Sequence, residues 1–137
     1  MTTELQLHPK LLVSDADAAI DFYAKALGAT VTLRVADDAG VVNHAELTLG
    51  SAVLALAQSV QEWGWHDPVS VGGSPVLITA GVADPDGTAE RMVQLGGELV
   101  IPVEDRPYGK RQGRVRDPFG HLWVISGPLR GDTEQPA

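Results

Sequence analysis

Residues 44 to 49 alternate between polar and apolar side chains: His44, Glu46 and Thr48 against Ala45, Leu47 and Leu49. Successive side chains of a strand point to opposite faces, so the three polar groups share one face. The apolar face then meets a helix, and the polar face lines a cleft. An imidazole and a carboxylate on one face are the parts of an acid–base pair or of a metal site. His8, on the first strand of the same half, offers a second ring. His8 with Glu46 makes either a base with its orienting partner or two ligands of a divalent metal. The plainer assignment pairs Glu46 with an arginine and leaves His8 in a local hydrogen bond.

Two further groups of residues have the chemistry of a binding site. Five of the ten basic residues lie between Arg106 and Arg116: Arg106, Lys110, Arg111, Arg114 and Arg116. They make either a solvated hairpin or an anion or polar-ligand site within an acidic molecule. Residues 104–117 carry a local charge of about +2 in a chain of net charge -8. The second group is Trp63 and Trp65, separated by one glycine and accompanied by Glu62, His66 and Asp67. Indole faces stack on planar or cationic ligands, or form a hydrophobic lid or a dimer contact. Tyr108, in the basic hairpin, reaches a ligand or caps the cleft. Trp123 is read as core, and His121 as a turn residue beside Gly120.

Composition removes several classes. The chain has 137 residues and no cysteine. That excludes disulfides, zinc fingers, iron–sulfur clusters and a thiol nucleophile. A net charge of -8 repels a nucleic-acid backbone. No apolar run approaches the roughly 18 residues of a membrane span, and the first residues lack the order of a secretory signal. A cytoplasmic protein is expected. Phosphate loops, dinucleotide fingerprints and a nucleophile elbow are all missing from the sequence.

The elements that must hold these residues repeat. Leu11 to Val13 reads as a strand. Asp15 to Leu27 reads as a helix with Ile20, Tyr23, Ala24 and Leu27 on its apolar face, capped by Ser14 or Asp15 and stopped by Gly28. Shifted by 69 residues, Val82, Asp84 and Asp86 stand for Val13, Asp15 and Asp17. Ala89, Met92, Val93 and Gly96 repeat the apolar face, Asp84 caps, Pro85 takes the first helical position, and Gly97 stands for Gly28. Strands are expected at Thr30 to Val35, His44 to Leu49, Ala52 to Leu56, Glu98 to Val103, Arg114 to Arg116 and Leu122 to Ile125. Each half reads β-α-β-β-β. One domain over 1–137 is expected, with modules at 5–57 and 74–127, a connector at 58–73 and a flexible tail at 128–137. Under a shift of 70, His44 meets Arg114 and Glu46 meets Arg116, so a pseudo-twofold axis would allow a forked Glu46–Arg116 pair.

The stretch LLVSDADAAIDFYAKALGA resembles the opening unit of the vicinal oxygen chelate superfamily, which includes glyoxalase I, extradiol dioxygenases and bleomycin-resistance proteins. HAELTLGSAVLALA and EDRPYGKRQGRVRDPFGHLWVIS look like its phosphonate-operon-associated, glyoxalase-related branch. The resemblance spans residues 5 to 127. It implies an α+β fold of two βαβββ modules, with curved mixed sheets around a cleft, and a homodimer. Metal-using members take a His from the first strand of a module and a Glu from its last. His8 fits the first position. Its counterpart Leu77 cannot ligate, and neither can Leu54, Ala55 or Val124 at the Glu positions.

Three functions follow. The first is a small-molecule-binding protein that sequesters a drug or metabolite without a complete metal centre or other cofactor. It would use His44, Trp63, Trp65, Tyr108, Arg114 and Arg116. The second is a glyoxalase-like lyase or isomerase in which His8 and Glu46 hold a divalent metal or act as catalytic groups. The third is a non-catalytic interaction module.

Overall fold

A computed structural model describes residues 4–130. The chain divides into two compact units between Asp67 and Pro68. In the first, β1 (Lys10–Val13) leads into α1 (Ala16–Leu27), followed by β2 (Thr30–Ala36), β3 (Val42–Leu49) and β4 (Ala52–Gln58). In the second, α2 (Pro68–Val71) precedes β5 (Leu77–Gly81), α3 (Pro85–Gln94), β6 (Glu98–Asp105), β7 (Arg111–Arg116) and β8 (Leu122–Gly127). The two sheets have matching orders, β1-β4-β3-β2 and β5-β8-β7-β6. In each the first strand runs parallel to the last, and the other pairs are antiparallel.

The helix boundaries follow from capping chemistry. The Asp15 carboxylate accepts from Ala18 N, and Gly28 closes α1 at φ 72°. Only a residue without Cβ adopts that left-handed angle without cost. Asp84 caps α3 through Gly87 N, with Pro85 next. This second helix stops two residues short of expectation, at Gln94. Leu95 is its last cap, and the left-handed glycine is Gly96, at φ 111°, rather than Gly97.

The buried stripe of α1 is rotated from the one expected. Ala16, Ala19, Phe22, Tyr23 and Ala26 are buried, whereas Ile20, Ala24 and Leu27 are only partly covered. Alanines let the helix lie close to the sheet, and Phe22 and Tyr23, in edge-on contact at 5.4 Å, fill the remaining space. In α3 the buried set is Pro85, Thr88, Ala89 and Met92, and Val93 is exposed. Both sheets bury the strand residues facing their helix. Leu47 and Leu56 are fully buried in the first unit, and Val115 and Ile125 in the second.

The strands run longer than their apolar cores. β7 begins at Arg111 rather than Arg114 because Arg111 and Gln112 pair with Gly127 and Ser126. β1 begins at Lys10, so His8 lies before the sheet and is exposed. Pro9 separates them: it has no N–H to give a ladder, and only its carbonyl is used, by Ala55 N. In the expected tail, Arg130 N donates to Asp105 at 3.2 Å, and residues 131–137 lie outside the described part.

The 117–121 turn is organised by one carboxylate. Asp117 Oδ1 accepts from Phe119 N and His121 N, and Oδ2 accepts from Trp123 Nε1 at 2.9 Å. Trp123 is core and His121 belongs to this turn, both buried. Asp117→Ala leaves three buried donors without this acceptor and is expected to cost about 2–4 kcal/mol. Urea unfolding should show a lower midpoint at unchanged slope, and Asp117→Asn, which keeps an acceptor oxygen, should lose less.

Candidate functional site

On the helix-free face of the first sheet, His44 Nε2 lies 2.8 Å from Glu46 Oε2. Strand alternation puts both on this face, and register adds Val35 opposite His44 and Leu33 opposite Glu46. Both apolar neighbours are exposed. The pair itself is about one-third exposed, at 32% and 37% for the two side chains. An ionised carboxylate only accepts, so the imidazole donates through Nε2 and keeps Nδ1 for another partner.

Glu46 is thus paired with His44, not with His8 or an arginine. His8 has no hydrogen-bond or ionic partner among the described residues. Within the second unit, Arg116 donates to Glu98 at 2.6 Å across β6 and β7.

Most of the basic hairpin is neutralised. Arg111 sends two guanidinium nitrogens to Asp86, at 2.7 and 2.8 Å, and a third to Asp105 at 3.2 Å. Its side chain is only 12% exposed. Arg106 donates to the carbonyls of Pro102 and Gln112 and contacts Glu104 at 3.3 Å. Lys110 and Arg114 alone in this segment lack a hydrogen-bond or ionic partner among the described residues. Arg114 shares a pocket of about 170 Å³ with Ile101, Arg106, Tyr108, Gln112 and Gly113.

The tryptophan segment is a built loop. Val60 and Trp65 exchange backbone hydrogen bonds at 2.9 and 3.1 Å around a short 3-10 turn, Gln61–Trp63. Gly64 supplies the left-handed residue at φ 72°. The two indoles meet edge to face at 5.1 Å. Lys10 Nζ stands 4.8 Å from the centre of the Trp65 ring, a cation–π contact. Trp65 is therefore engaged, whereas Trp63 remains 57% exposed.

A family model described as the Glyoxalase/Bleomycin resistance protein/Dioxygenase superfamily matches residues 5–125. The chain belongs to that superfamily. An uncharacterized protein of Mycobacterium bovis is 39% identical over 133 residues, covering 95% of this chain and 88% of the relative. One of Mycobacterium tuberculosis is also 39% identical, covering 95% and 78%. Among solved structures, TioX from Micromonospora sp. ML1 is 29% identical with a TM-score of 0.70, covering 92% of this chain and all, 100%, of that one. The fosfomycin resistance protein FosX of Mesorhizobium loti shares the fold, at 18% identity and a TM-score of 0.65, covering 98% and 100%.

The residues present do not fit the metal set of metal-using superfamily members. Ala55, at the last-strand position, lies beside Glu46 on one side and Lys10 on the other. In the second unit Val124 and Leu77 hold the corresponding places. No group of three or more His, Asp or Glu side chains among the described residues could hold a metal ion. No helix among them is long and apolar enough to cross a membrane.

Sequence reasoning missed the two helix-to-strand ion pairs. Asp17 and Asp86 are equivalent under the repeat, yet Asp17 is bound by Arg34 of β2 and Asp86 by Arg111 of β7. The only sequence signal was the repeated acid. Each arginine's hydrogen bonds hold its carboxylate below the ordinary range, and Arg111 is held above the usual arginine value by Asp86. A lowered carboxylate makes the unfolded chain bind more protons in acid. Its contribution is present above the unfolded value, about pH 4, and is lost as pH falls through the folded one. Urea midpoints should fall on acidification through this range. Arg111→Met should cost about 1–2 kcal/mol at neutral pH, discounted for the exposure of Asp86, and flatten the acid slope.

Proposed function

We propose that the chain binds a small organic molecule against the helix-free faces of its sheets, without a complete metal centre. The His44–Glu46 pair carries this reading. It is partly covered, internally hydrogen-bonded and bordered by exposed Leu33 and Val35. A polar anchor within apolar surroundings is the usual composition of a ligand site. Nδ1 of His44 meets a polar atom of the ligand, and Leu33 and Val35 take its apolar part. Trp63, the exposed indole of the same unit, offers a stacking face. Sequestration of a drug or metabolite follows from such a site. A homodimer, as superfamily resemblance suggests, and a cytoplasmic location belong to the same proposal.

A lyase or isomerase is the second reading, and the same pair favours it. An imidazole oriented by a carboxylate is placed to take a proton from carbon next to a carbonyl and return it. Glu46 fixes the ring and balances the imidazolium that forms.

Thermal unfolding with a panel of small metabolites and drugs separates the outcomes. A ligand of the native state raises the midpoint with concentration, and His44→Ala should abolish that rise. A panel without effect on the wild-type chain counts against sequestration and favours an interaction module. Elemental analysis gives a second check: near-stoichiometric metal that disappears in Glu46→Gln or His8→Ala would overturn the metal-free reading. Size-exclusion mass reports the dimer.

A further inference from the structure

The pocket around Arg114 is lined wholly by residues of the second unit. Its lining contains two arginines and no acidic residue, in a chain where acids outnumber bases 18 to 10. Arg116 shows what normally happens to a strand arginine here: its register partner is Glu98, and the two pair. Arg114 has Ile101 opposite it on β6 and Val124 on β8, so its two cross-strand partners are apolar. Its guanidinium has no partner among the described residues. Arg106 adds positive charge, but its donors are turned to the Pro102 and Gln112 carbonyls.

The rest of the lining is preorganised. Tyr108 Oη donates to Gln112 Oε1 at 2.7 Å, and Gln112 Nε2 donates to Ser126 Oγ at 2.9 Å. This relay spends the Tyr108 hydroxyl proton and holds a ring that is otherwise 65% exposed. What Tyr108 offers is therefore its apolar ring, and Ile101 is the second apolar group in the lining. The volume, about 170 Å³, is below the roughly 300 Å³ at which drug-sized sites begin. A ligand there is small.

We propose that this pocket binds a small carboxylic acid with a planar apolar body. Arg114 takes the carboxylate through two parallel N–H···O bonds, a geometry that its planar fork suits. Ile101 and the Tyr108 ring hold the body. Arg106 contributes field rather than contact.

Benzoate is the probe, measured by calorimetry against the full chain at low ionic strength, beside benzamide and inorganic phosphate. Benzoate should bind. Benzamide, which lacks the charge, should bind about tenfold more weakly or less, and phosphate, which lacks the apolar body, should also be weaker. Arg114→Met should lose about tenfold or more, as expected for hydrogen bonds to a charged group. Arg114→Lys keeps the charge without the fork and should fall between. Tyr108→Ala should weaken benzoate without restoring benzamide. Lys110→Met should leave benzoate within about twofold of wild type, because Lys110 does not line the pocket. Equal binding of benzamide, equal binding of phosphate, undiminished binding in both Arg114 variants, or an equal loss in Lys110→Met would each overturn the proposal. So would a failure of benzoate to bind the wild-type chain.

Discussion

One helix covers only one face of a four-stranded sheet. Each unit of this chain has one long helix and one such sheet, so each sheet has a face its helix packs against and a face it leaves uncovered. The period of two along a strand then assigns every residue a side. Ala45, Leu47, Val115 and Ile125 are buried on the helix side. His44, Glu46, Arg114 and Arg116 fall on the other. The second face of each sheet thus carries two of these four polar side chains.

The helix side is held by more than apolar contact. In both units an aspartate in the first helical turn is gripped by an arginine from the sheet, Arg34 in one and Arg111 in the other. The acids occupy equivalent places in the repeat and the arginines do not. The same link has thus been made from different strands, which explains why the repeat alone could not foretell it. Arg111 is drawn to the helix side by this link, and the basic hairpin loses its most buried cation to structure. Arg114 keeps its charge available because its cross-strand neighbours, Ile101 and Val124, have nothing to pair with it.

Membership of the Glyoxalase/Bleomycin resistance protein/Dioxygenase superfamily accounts for the architecture and leaves the chemistry to particular side chains. At the positions where metal-using members place ligands, this chain has Ala55, Leu77 and Val124, and its one matching histidine lies ahead of Pro9, outside the ladder. In their stead the first sheet presents an imidazole hydrogen-bonded to a carboxylate. That pair suits ligand anchoring or proton transfer, because one partner orients the other.

The sequence by itself determined the repeat, the order β-α-β-β-β in each half, the caps at Gly28 and Asp84, and the face shared by His44 and Glu46, and it narrowed the first N-cap to Ser14 or Asp15. These depend on local rules: strand and helix periods, capping oxygens and left-handed glycines act within a few residues. The tertiary structure decided which of two apolar stripes of α1 is buried, where α3 stops, and which arginine meets which carboxylate. Those outcomes depend on distance and shape. Ala16, Ala19 and Ala26 permit a closer approach than Ile20 and Leu27, and a guanidinium fork on a long stem reaches acids 17 or 25 residues away. Pairing by register, invisible in composition, is also what left Arg114 without a carboxylate and gave Arg116 one.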